Sequence, residues 1–145
     1  MTLHPLLVHF PIGLIGAAAL FDLWSLAAGQ RAAARRTATG LYLAGAAALV
    51  AAYLTGRVDA ELVRIPGPAH ALVNEHWTWA LRATVFLAVL ALGRLGLELS
   101  GQLATRRRWL PVAAAGLAGL LLLFQTAERG GRLVYQHGVG VAAPR

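Results

Sequence analysis

Four long apolar runs constrain this chain more than any other feature of its sequence. They cover residues 6–28, 38–56, 76–98 and 109–128, and each is close to the ~20 residues that a helix needs to cross a bilayer's hydrocarbon core. The first holds one charged side chain, Asp22, near its far end. The second is short and alanine-rich. The third carries Arg82 and Arg94 and ends on Glu98. The runs do not alternate polar with apolar residues, so a membrane β-barrel is not expected. The expected fold is all-α, a single bundle of four transmembrane helices with a tail over 129–145. The first run has no basic n-region and no clear cleavage motif, so it is read as a retained span and not as a signal peptide. No internal repeat is evident.

The charges say how the chain threads the membrane. Only 13% of residues are charged, where a soluble domain would be nearer a quarter. The net charge of +7 comes from arginine; there is no lysine and no cysteine. In a soluble protein so basic a balance would suggest nucleic acid. Here the arginines gather in connectors between apolar runs, and no nucleic-acid partner is expected. Arg31, Arg35 and Arg36 join the first two runs, and Arg106, Arg107 and Arg108 join the last two, with no acid in either connector. The middle connector balances Arg57 and Arg64 against Asp59, Glu61 and Glu75. The positive-inside rule puts both arginine-rich connectors in the cytoplasm and both termini outside. Trp77 and Trp79 then mark the outer interface and Trp109 the inner one.

With that orientation all five histidines fall at the outer face: His4 and His9, His70 and His76, and His137 in the tail. Pro5 suits the first turn of a helix, which sets His9 about a turn inside the first span. Pro68 can likewise start the third helix, with His76 about two turns along it. His9 and His76 therefore reach similar depth, and facing imidazoles in a helical bundle are a common way to hold a haem iron or another transition metal. His70 and His137 are alternative ligands. His4 and His70 read more simply as interfacial polar residues or helix caps. Arg82, Arg57 and Arg129 are positioned for a haem propionate, and Asn74 for a supporting hydrogen bond to a histidine. Asp22 is expected to pair with Arg94 or to cap at the inner interface, and Glu98 to be interfacial. Without cysteine there is no thiolate metal site and no covalent haem attachment. No catalytic motif stands out.

The segments "HPLLVHFPIGL", "FDLWSL" and "TGRVD", a histidine before the third span, and "GGRLVYQHGVGV" together resemble the DUF2231 family of four-helix membrane proteins. The resemblance covers nearly the whole chain. It implies a small multi-pass protein of the bacterial inner membrane and carries His9, His76 and His137 over as family positions, with His70 the other match for the third-span histidine. It does not supply an activity. The leading expectation is a b-type cytochrome-like protein or subunit. It would bind haem b near the outer face and pass electrons between quinone and a periplasmic carrier, without being an enzyme on its own. A cofactor-free accessory subunit of a larger respiratory or photosynthetic complex is the alternative, with "LVYQHGVGV" as an outer docking tail or folded back over the bundle. A copper or zinc site built from the same histidines is the third reading.

Overall fold

The computed structural model describes residues 4–28 and 32–141, so Arg31 of the first connector and the last four residues of the tail lie outside it. A short helix α1 (His4–Leu7) leads into α2 (His9–Ala27), and three long helices follow: α3 (Ala32–Leu62), α4 (His70–Leu99) and α5 (Arg106–His137). The α1/α2 unit and the three long helices are each long and apolar enough to cross a membrane. The break at Val8 has a local cause. Pro11 has no N–H to give the Leu7 carbonyl, so the ladder loosens one turn ahead of it. A short 3-10 turn over Gly67–Ala69, with Pro68 in it, starts α4 as the sequence suggests.

The helices run up and down and pack as a ring in chain order, α2 against α3, α3 against α4, α4 against α5, and α5 back against α2. Their outer surface is apolar: Leu20, Val89, Leu121 and Phe124 are more than half exposed. The interior carries charge: Asp22 and Arg94 are 3% and 1% exposed. Greasy outside with paired charge inside is the arrangement lipid demands, because a charged group in hydrocarbon must find a partner.

That partner is the expected one. Both terminal nitrogens of the Arg94 guanidinium donate to the Asp22 carboxylate, Nη1 to Oδ2 at 2.8 Å, and Arg94 Nε donates to Thr39 Oγ1 at 3.0 Å. A second pair lies nearby: Arg35 donates to both Glu98 oxygens, at 2.9 and 3.1 Å. Arg35 lies inside α3 and is buried, not in a connector as expected. Trp109 is also enclosed by the bundle, 1% exposed, and not at a lipid interface.

The fold contains a repeat that the sequence hides. Ile15 of α2 packs where Gly45 of α3 leaves room, and Leu87 of α4 packs where Gly119 of α5 does. His4 sits against Gly56, and His76 against Gly130. One interval of chain separates His4 from His76, Ile15 from Leu87 and Asp22 from Arg94. A second, common interval separates Gly45 from Gly119 and Gly56 from Gly130. The helical hairpin α1/α2–α3 is thus repeated as α4–α5. Matching residues also meet each other: Asp22 touches Arg94, and Tyr42 fills the space beside Gly116. Self-contact of equivalent positions is what a twofold axis along the bundle produces.

Candidate functional site

At the end of the bundle where the chain begins, α1, α3, α4 and α5 line a half-open cavity of about 160 Å³. His4, Tyr53, Gly56 and Asp59 line it from the first hairpin. His76, Trp77, Gly130 and Leu133 line it from the second. Its remaining wall is mostly aliphatic, and Val134, on that wall, is 41% exposed at the bundle surface.

Each imidazole is held by the same device. His4 Nδ1 lies 2.7 Å from the Ala52 carbonyl oxygen, and His76 Nδ1 lies 3.1 Å from that of Thr126. A carbonyl only accepts, so Nδ1 carries a proton in both rings, and in the neutral ring Nε2 keeps its lone pair. A helix side chain leans back over the turn before it, so the residue four positions on would cover each carbonyl. Those residues are Gly56 and Gly130. A Cβ on Gly56 would come within 2.9 Å of the His4 ring, and one on Gly130 within 3.2 Å of the His76 ring. Glycine therefore uncovers the carbonyl and gives the ring its berth. Asp59 completes the first half by accepting the His4 backbone N–H at 2.9 Å, which caps α1.

The structure brings His4, not His9, together with His76. His9 is exposed on α2, and His70 is exposed at the start of α4, its Nδ1 3.0 Å from the Gly67 carbonyl. His137 ends α5 without lining the cavity, where a cation would suit the helix C-terminus. Gly138 follows it at φ 65° and turns the chain so that Val139 packs with Leu72 and Leu133. The tail thus folds back over the bundle through Val139 and Gly140. The arginines stay outside the cavity. Arg57 stacks over Trp77 at 5.4 Å, and Arg82 and Arg129 lie over Trp79 at 5.6 and 4.7 Å. Arg129 also pairs with Glu75 at 3.5 Å. Asn74 is exposed, and His76 Nδ1 donates its hydrogen bond to the Thr126 carbonyl.

Sequence reasoning passed over His4 because a terminal histidine beside a proline reads as a cap. The available signal was the register: the helix that follows His4 carries Gly56 and the helix that follows His76 carries Gly130, each at matching depth.

For haem b the donors fit and the cavity is small. Two neutral imidazoles with anchored Nδ1–H groups are suited to axial ligation. The half-open cavity, however, at about 160 Å³, is smaller than an ordinary cofactor pocket, ~300 Å³ or more. Among the described residues no group of three or more His, Cys, Asp or Glu side chains is arranged to hold a metal ion, and a protein zinc site ordinarily supplies at least three ligands.

Fold and site together define a membrane-spanning four-helix bundle with a two-histidine cavity at one end. The chain belongs to the DUF2231 family, described as a predicted membrane protein, whose pattern it matches over residues 1–143. No curated protein and no solved structure matches it.

Proposed function

We propose that this chain binds a small redox-active molecule in the outer cavity through Nε2 of His4 and Nε2 of His76, and that it serves electron transfer at the outer face of a bacterial inner membrane as a subunit of a larger system. The observation that carries this reading is the duplicated imidazole berth. Holding one ring by a carbonyl and a glycine is ordinary packing. Doing it twice, at equivalent positions that open into one cavity, prepares a pair of lone pairs for a ligand. The exposed Arg106, Arg107 and Arg108 lie at the opposite end of the bundle and support a cytoplasmic placement for that end. No catalytic step is assigned to the chain itself.

The test is to purify the protein from its own membranes and measure what accompanies it, haem by its reduced-minus-oxidised spectrum and quinone by solvent extraction. The expected result is near-stoichiometric retention of one of them, lost in His4→Ala and in His76→Ala and kept in His9→Ala. A haem spectrum with that dependence would make these residues the axial ligands and require helix ends further apart than they are here. Retention of neither molecule, or retention indifferent to both histidines, overturns the reading.

A further inference from the structure

We propose that the occupant of the cavity is the ring of a hydroquinone, a quinol head group whose two hydroxyls donate to Nε2 of His4 and Nε2 of His76. This deepens the reading of the cavity as a redox-ligand site and rests on it. Three observations lead to this class of ligand.

The first is size. An apolar cavity of about 150 Å³ holds one benzene ring, and this half-open one measures about 160 Å³. A single ring matches that space, with its substituents toward the open side.

The second is polarity. The groups fixed in orientation here are acceptors. In each neutral ring Nε2 is an acceptor, because Nδ1 donates to a carbonyl. The Asp59 carboxylate nearby is likewise an acceptor, already engaged by the His4 N–H. Two acceptors lining one cavity are best matched by a ligand that donates at two places with an apolar body between. A hydroquinone is such a molecule. A quinone is not, because its carbonyl oxygens would meet the same acceptors lone pair to lone pair. The site therefore distinguishes the reduced ring from the oxidised one.

The third is surroundings. Tyr53 and Trp77 stand edge to face at 5.8 Å on the cavity wall and offer π-surfaces to a ring. Val134 carries the wall out to the exposed apolar face of the bundle. A hydrophobic tail attached to the ring has an apolar surface to follow there. The two imidazoles are also equivalent under the approximate twofold relation, which matches a ring with hydroxyls at opposite ends.

The experiment is a titration of the detergent-solubilised full chain with 15N-labelled histidine. The probes are 2,3-dimethoxy-5-methylhydroquinone, its oxidised quinone and benzene, followed by the side-chain nitrogen resonances. The expected result is saturable movement of Nε2 of His4 and His76 with the hydroquinone. Binding should be about tenfold weaker for the quinone, the scale of one or two net hydrogen bonds. His4→Leu and His76→Leu should each weaken hydroquinone binding by a similar factor while circular dichroism shows the helices retained, and His9→Leu should leave it unchanged. Equal response to hydroquinone and quinone, or haem in the purified protein, overturns the proposal and leaves the cavity as a ligand site. Response to none of the three rings, in a protein without haem, overturns both.

Discussion

Exchanging the buried charges tests the internal repeat and the packing together. Asp22→Leu strands the Arg94 guanidinium, whose side chain is 0% exposed, inside the bundle. Removing one partner of a buried ion pair typically costs about 3–5 kcal/mol, because the remaining charge has no compensation. Replacing both residues by leucine removes that stranded charge, so the double variant should lose less than either single change. The exchange Asp22→Arg with Arg94→Asp is more discriminating. Because the two positions are related by the approximate twofold axis, the swapped pair can form from the opposite hairpin. What it loses is local to the first one. Arg94 Nε donates to Thr39 and the guanidinium lies 5.0 Å over the Tyr42 ring. The matching positions on α5 are Ala113 and Gly116, which offer neither contact. The exchange should therefore cost about 1–2 kcal/mol, the worth of one hydrogen bond and one cation–π contact. Unfolding of the detergent-solubilised protein by denaturant reports both values. An exchanged protein as unstable as Asp22→Leu would refute the twofold relation, and a double-leucine variant that loses the sum of the single losses would refute the stranded-charge account.

The remaining predictions concern close contacts and topology. Gly116→Ala puts a methyl where the Tyr42 hydroxyl sits, and should destabilise the bundle by about 1–3 kcal/mol, with partial recovery on adding Tyr42→Phe, measured by the same unfolding. Gly130→Ala brings a Cβ within 3.2 Å of the His76 ring, so the ring should shift from the Thr126 carbonyl and its Nδ1 resonance should lose the signature of that bond; an unchanged resonance would contradict the berth. The chain has no cysteine, which makes a labelling test direct. Single cysteines at Gln102 and Gly140 should react with a membrane-impermeant thiol reagent from opposite sides of the membrane, Gly140 from outside in intact cells. Labelling of both from one side would overturn the four crossings.

The four crossings, their apolar outer surface and the Asp22–Arg94 pair were legible in the sequence because each follows from a one-dimensional rule. Hydrocarbon selects runs of about twenty apolar residues, and an isolated charge within such a run needs an opposite one. The identity of the cavity histidines was not legible in that way. The prolines suggest similar depth for His9 and His76, but in the repeat it is His4 that corresponds to His76, and no depth rule says which side of a helix faces inward. The break at Val8 and the cap from Asp59 set the orientation of α1, and they turn His4 to the interior while His9 stays outside. The repeat was hidden for a related reason. At a twofold axis equivalent residues touch each other, so two arginines would repel and two tyrosines would collide. Those positions must differ, as Asp22 and Arg94 or Tyr42 and Gly116 do. The sequence alone thus determined that the chain is a four-span membrane bundle with its histidines at one end. Only the packing of the two hairpins decided which imidazoles meet, because contact across an axis leaves no periodic mark along the chain.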